Sequence, residues 1–520
     1  MTVTQWLLFI TVIQVIHFIG TWKLYVRAGR KAWEAAVPVY NAIVLMKIIN
    51  RPTWWTILLF IPIVNLLMFP VVWTETARSF GFNTYKDTAL VVLSCGLYLF
   101  YINYATEATY IEDRSLQPKS ANGEWVSSII FAVAAATIVH TYFVQPFVIP
   151  TSSLEKSLLV GDYLIVSKFH YGARTPMTTV AAPMLHDSIP VAKIKSYASS
   201  PKLPYFRLPG FQEVKRNDIV VFSWPVDTLI DIRPGHMYGS VRKPIDKKSN
   251  YVKRCVGMPG DSLEVRNGYV YINGKQNELP DRARLQFSYL IQTSKEISRR
   301  TFINRYDITD GIQRIKGGYY IAAATDEAIA RLKNHPDVVD VTPYKGKKGV
   351  REEGSFPNTT THKNNRDFLG PIYIPEAGKT VAITPETIPY YERVIEVYEG
   401  YEMGEERDLT VSGTQVLLNG APLTEYTFKQ DYYWLMGDNR NNSQDARAWG
   451  YVPYNHVVGK PVFVWFSLDP NKKGFLNRIR WNRVFTTVSG DGKATSFKWI
   501  LFVLLGLFVA SFFKKKKPTA

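Results

Sequence analysis

Cysteine is nearly absent: two in 520 residues, Cys95 in an apolar segment and Cys255 in a strand-like run. Two such residues make neither a disulfide framework nor a metal site. Zinc-ligand spacing, an RNA-binding signature and a basic DNA-reading helix are also missing. A formal charge of +18 therefore points to a membrane surface or to topology signals, and no nucleic acid is expected as a partner. The carboxylates of the polar loop 436–447 lack EF-hand spacing and its terminal Glu, which excludes that calcium motif. No cofactor and no metal are expected. There is no internal repeat and no long low-complexity tract. His170, His186, His236, His335, His362 and His456 all stand in contexts that tie none of them to a serine, so a histidine base has no candidate.

Apolar and aromatic residues are abundant, at 46% hydrophobic with 13 Trp, 31 Tyr and 28 Phe. Five apolar stretches, 6–20, 54–73, 88–105, 126–149 and 497–513, approach the roughly 20 residues that cross a bilayer. Tryptophans near their ends fit an interfacial belt. The first stretch lacks the basic flank and cleavage site of a secretory signal. Lys23, Arg27, Arg30, Lys31, Lys47 and Arg51 follow the first stretch, and Lys514 to Lys517 follow the last. The positive-inside rule places both groups in the cytoplasm and residues 150–496 outside. The run 37–49, apolar but interrupted by Lys47, reads as interfacial.

Residues 158–266 are short apolar runs separated by turn signals. Asn267-Gly268 and Asn273-Gly274 flank the run 269–272, a type I′ hairpin pattern. Residues 276–430 contain a helix pattern over 325–334 between strand-like runs 319–323 and 338–341, then a loop over 345–365. Strand patterning resumes near Tyr432. The expected fold is a mostly β domain of antiparallel sheets with an inserted α+β cap region, plus several transmembrane α-helices. Its parts are a membrane region (1–125) with about three spans and a transmembrane helix (126–149) leading into the β domain. A β core follows in two pieces (150–275 and 431–496) around the cap (276–430). A C-terminal helix and Lys-rich tail (497–520) complete the chain.

Three stretches carry chemistry. Pro150-Thr151-Ser152-Ser153-Leu154 follows the fourth apolar run directly. Hydroxyl residues are ordinary at such a boundary, but a serine beside a neutral base is a nucleophile. A lysine can be that base if burial lowers its pKa from about 10.4. Lys253 stands in Tyr251-Val252-Lys253-Arg254-Cys255, where strand alternation puts Tyr251, Lys253 and Cys255 on one face and Val252 and Arg254 on the other. The competing reading is a solvated lysine on an edge strand. The third stretch, 436–447, is dense in Asp, Asn, Arg and Ser; alone it reads as a surface turn.

Together and in this order, with the run 218–222, these stretches resemble the type I signal peptidases, membrane-bound Ser/Lys proteases. The resemblance covers residues 126–470. It implies Ser153 as nucleophile and Lys253 as general base. Thr151, with the Ser153 N–H, would form the oxyanion hole, and Ser443 would orient the Lys253 amine. Asp438 would pair with Arg254 and Asp445 with Arg447 as structural support. Phe147, Ile149, Leu158, Val221 and Val252 would line two shallow pockets for small side chains, an Ala-x-Ala preference. The implied partners are signal peptides of exported preproteins and membrane lipids, and the implied location is a bacterial cytoplasmic membrane. The family pattern is Gly-Ser-Met followed by Pro; here Ser152 precedes Ser153 and Leu154 follows, so Ser152 competes as nucleophile and nearby Lys156, expected to be solvated, as base. The contrasting class is a non-catalytic multi-span protein with a large extracytoplasmic binding domain.

Overall fold

The computed structural model describes residues 3–118, 120–190, 192, 194–227 and 242–513. His236 and Lys514 to Lys517 lie outside the described residues. Two compact units are present, Met1–Tyr142 with Thr175–Phe206, and Phe143–Arg174 with Arg207–Ala520.

The first unit is helical. Among the described residues two helices, Thr4–Arg27 and Ala121–Phe143, are long and apolar enough to cross a membrane. The stretch 497–513, in the second unit, forms one shorter apolar helix, Lys498–Phe513, whereas the other two expected spans are interrupted. The stretch 54–73 divides into helices Trp55–Leu58 and Val64–Ser79, with Pro62 in the break and Ile63 at φ 71°. The stretch 88–105 is the bent pair Tyr85–Leu93 and Tyr98–Tyr104, at 115°, turning at Cys95 and Gly96, both with positive φ. The run read as interfacial contains helix Tyr40–Ile48, and its Val44, Leu45, Met46 and Ile48 are buried in this unit's core. Apolar content alone does not separate a core helix from an interfacial one. Residues 175–206, expected in the β core, belong to this first unit: Ala181 and Tyr197 pack with Ile63.

In the second unit the main sheet is built from β1 (Val144–Val148), β2 (Asp162–Ser167), β3 (Ile219–Ser223), β4 (Asn250–Gly257), β5 (Tyr432–Met436), β6 (Val452–Pro453), β7 (Val457–Ser467) and β8 (Thr486–Thr487). Their order is β1-β2-β7-β3-β4-β5-β6, with β8 on β7, and neighbouring strands run antiparallel. The apolar run 126–149 is thus not one helix. After Phe143 it becomes β1, which contains Pro146. Proline lacks the N–H that a helix interior needs, and β1 instead pairs with β2.

A second sheet joins Phe368–Tyr373, Ser262–Arg266, Tyr269–Ile272 and Lys275–Gln276 in that order. Both Asn-Gly pairs form its turns, with φ of 53° and 83° at Asn267-Gly268 and 50° and 83° at Asn273-Gly274, the positive values that a type I′ turn requires. This sheet shares a core with Tyr432, Trp434 and Met436 of β5. Residues 287–343 form a four-stranded antiparallel sheet, ordered 310–315, 318–324, 287–293, 338–343. Helices Arg299–Tyr306 and Asp326–Leu332 contribute Phe302, Tyr306, Ile329 and Leu332 to its core. The second helix is N-capped by Thr325, whose side chain accepts from the Ala328 N–H; such caps stabilise by about 1 kcal/mol.

Candidate active site

The chain leaves β1 at Ile149, whose N–H donates to Asp162 O at 2.9 Å, and turns at once into a short 3-10 helix, Ser152–Leu154. Leu154 and Leu158 are buried beneath it. The turn is therefore anchored by its leucines, and Ser153 is held at 7% exposure. The first N–H groups of a helical turn have no intrahelical acceptor, which leaves donors beside Ser153. Thr151 precedes the turn in an extended conformation, and its side chain makes no capping hydrogen bond.

Lys253 lies on β4 between β3 and β5, opposite Val220. The strand is interior, so the edge-lysine reading fails. The residue is 4% exposed, and its Nζ donates to Ser153 Oγ at 2.6 Å. Burial lowers the Lys253 pKa to about 8; Asp445 and Asp438 oppose that shift and Arg447 adds to it. The alternation expected along β4 holds: Tyr251 and Cys255 pack in one apolar cluster and Val252 in another.

The polar loop after β5 is not a surface turn. Asp438 accepts from Arg254 Nε at 2.8 Å, from Arg254 Nη2 at 2.6 Å and from Ser157 Oγ at 2.5 Å. Burial opposes its charge, yet the Arg254 guanidinium and the Ser157 hydroxyl hold its pKa below the usual value. Asp445 accepts from Arg447 Nε at 2.9 Å and Nη2 at 2.8 Å, and from the Gly437 N–H at 3.0 Å. Both expected ion pairs are present. Gly437 is small for a steric reason: a Cβ there would lie 2.3 Å from Ser443 Oγ and 2.6 Å from Ser153 O.

Ser443 departs from expectation. Its Oγ is buried without a hydrogen-bond partner among the described residues, so the orienting bond to Lys253 is not made; the amine is directed at Ser153 instead. Lys156 also departs. Its side chain is 13% exposed and ion-paired with Asp307, not solvated. Ser152 Oγ accepts from Asn442 Nδ2 at 2.9 Å, whereas the lysine bond goes to Ser153.

Phe147, Ile149, Leu158, Val221 and Val252 fall in one apolar cluster. Ile149, Leu158 and Val221 are at most 3% exposed, and Phe147 and Val252 are half-buried. The polar loop contributes residues not singled out from sequence. The Asn439 N–H donates to Ser153 O at 3.1 Å, and its side chain donates to Ser152 O at 3.1 Å. Arg440, fully buried, donates to Gly268 O at 2.6 Å. These residues stand inside the quoted loop, but their partners are more than 170 positions away, and no local signal reveals such pairings.

Residues 33–113 match a family of unknown function. Residues 122–326 and 376–466 match the family described as signal peptidase, peptidase S26. Among similar proteins is signal peptidase I of Buchnera aphidicola subsp. Acyrthosiphon pisum, 22% identical over 67% of this chain and 77% of that protein. The Haemophilus influenzae signal peptidase I is 22% identical over 72% and 79%, and that of Helicobacter pylori strain J99 is 24% identical over 70% and 91%. With more than half of its length matched and a buried serine and lysine in contact within the matched region, the chain belongs to the signal peptidase, peptidase S26 family.

Proposed function

We propose that this chain is a membrane-bound serine endopeptidase that removes signal peptides from exported preproteins, with Ser153 as nucleophile and Lys253 as general base. The observation that carries the reading is the 2.6 Å contact between Lys253 Nζ and Ser153 Oγ, made by an amine whose pKa burial lowers to about 8. A neutral amine takes the Ser153 proton as Oγ attacks the scissile carbonyl. The Ser153 N–H and the Thr151 hydroxyl receive the developing oxyanion, where each such donor contributes about 3 kcal/mol. The Lys253 ammonium then protonates the departing amine of the mature protein. Water, deprotonated by the same amine, hydrolyses the acyl-enzyme, releasing the signal peptide as a carboxylate and restoring the Ser153 hydroxyl.

Phe147 and Val252, over Ile149, Leu158 and Val221, accept small side chains at the first and third positions before the cut, giving Ala-x-Ala selectivity. The apolar helix Ala121–Phe143 ends eight residues before Thr151, so the nucleophile works near the membrane surface, where an inserted signal peptide emerges. The catalytic region lies on the extracytoplasmic side of a bacterial cytoplasmic membrane, in a multi-pass chain with its basic loop and tail inside.

Detergent-solubilised protein is expected to cut a preprotein bearing an Ala-x-Ala site after the second Ala, read by mass analysis of both products. Ser153→Ala abolishes this and Ser152→Ala retains it. Cleavage by Ser153→Ala but not Ser152→Ala moves the nucleophile. No cleavage by the folded parent across several preproteins favours a binding protein.

A further inference from the structure

The sheet of residues 287–343 reaches the nucleophile turn through one short segment. Asp307 ends helix Arg299–Tyr306 in the left-handed region, at φ 58°. Ile308 is buried in that sheet's core, and Asp310 opens the next strand. With Ile308 as anchor, Asp307, Thr309 and Asp310 present polar groups outward. Lys156 Nζ donates to Asp307 Oδ1 at 2.8 Å and to Thr309 Oγ1 at 3.3 Å. Asn442 Nδ2 donates both to Asp310 Oδ2 at 2.8 Å and to Ser152 Oγ at 2.9 Å.

These contacts converge on Ser152, directly before Ser153, and on Lys156, three residues after it. Lys156 itself holds φ at 70°, a conformation that disfavours an ordinary side chain and persists only where the surroundings impose it. That bend is followed directly by Ser157, whose Oγ reaches Asp438. The Asp307 side chain is 68% exposed, and exposed ion pairs add little to stability. The arrangement is better explained by geometry: it fixes where Ser153 sits against Lys253, and a displacement of 1 Å in such a constellation costs about 100-fold in rate.

We propose that the Asp307–Asp310 segment is a clamp on the nucleophile turn, with Lys156 and Asn442 as positioning residues, so that the inserted sheet sets catalytic competence. This rests on the Ser153–Lys253 reading above. The test compares Asp307→Lys, Lys156→Glu, the two combined, and Asp310→Ala in full-length protein cleaving a preprotein. Each single charge reversal is expected to lower kcat about 10- to 100-fold with KM within about twofold of the parent. The combined reversal recovers most of the loss while every variant melts within a few degrees of the parent; a merely structural role predicts melting temperatures that fall along with kcat. Asp310→Ala lowers kcat without a charge reversal and serves where a reversed single fails to fold. Singles that match the parent, or a combined variant as slow as the worse single, overturn the clamp. Ser153→Ala in the same assay separates the two claims: inactive Ser153→Ala beside fully active clamp variants removes the clamp alone, and active Ser153→Ala removes both.

Discussion

Lys253→Ala is expected to lower kcat by at least about 10³-fold, within the range that a positioned general base supplies. The amine is the base in contact with Ser153 Oγ, and other candidates are committed elsewhere. Lys156 is engaged by Asp307 and Thr309. His456 sits between Ser223 O and Glu402, and His170 is bonded to Ser167. Lys253→Arg is expected to be as inactive as the alanine variant, because a guanidinium stays protonated at any working pH. Thermal melting of Lys253→Ala should stay within a few degrees of the parent, since among the described residues the amine contacts a hydroxyl and forms no ion pair, so its removal strands no buried charge there. Retained cleavage in a folded Lys253→Ala protein sinks the dyad.

Asp438→Ala is expected to have the largest effect on stability. Arg254 is 3% exposed and Asp438 is 0% exposed, and their two hydrogen bonds join β4 to the loop that also holds Ser153 O. Removing one partner of a buried pair costs about 3–5 kcal/mol, because the other charge is left without compensation. The Ser157 hydroxyl loses the nearer of its two acceptors as well, keeping Arg282 O at 3.3 Å, so the nucleophile turn loosens and activity falls with stability. Replacing both partners, Arg254→Met with Asp438→Leu, should cost less than Asp438→Ala alone. The sign with pH follows from the lowered carboxylate pKa. Asp438 stabilises the fold fully above its unfolded value of about 3.9, and loses that contribution only as pH falls through the lower native value. A melting temperature for Asp438→Ala equal to that of the parent contradicts this assignment.

Local features of the fold were legible because their causes are local. Asn-Gly pairs demand positive φ, and both sit at hairpin turns. The helix pattern over 325–334 corresponds to the helix Asp326–Leu332. Alternation along β4 places Lys253 and Arg254 on opposite faces. Other features depend on distant partners. An apolar run does not by itself distinguish helix from strand, so the switch from helix to β1 was hidden; Pro146 was the available sign. Pro62 and the Cys95-Gly96 turn similarly break stretches that composition presents as continuous. At the site, the pairing of Ser153 with Lys253 spans 100 residues, and only the combination of motifs suggested it. The bond from Ser443 to Lys253 was expected and is absent among the described residues, where the amine points to Ser153 instead.

The central claim is that Lys253 is neutral when it takes the Ser153 proton, and the pH dependence of kcat/KM for preprotein cleavage tests it most directly. The neutral amine is the active form, so the rate should rise with pH and level off above a midpoint near 8, the value to which burial lowers this lysine. A midpoint near 10.4, the value of a solvated lysine, or a rate unchanged between pH 6 and 10, on the order of the range where such a base must titrate, would contradict it.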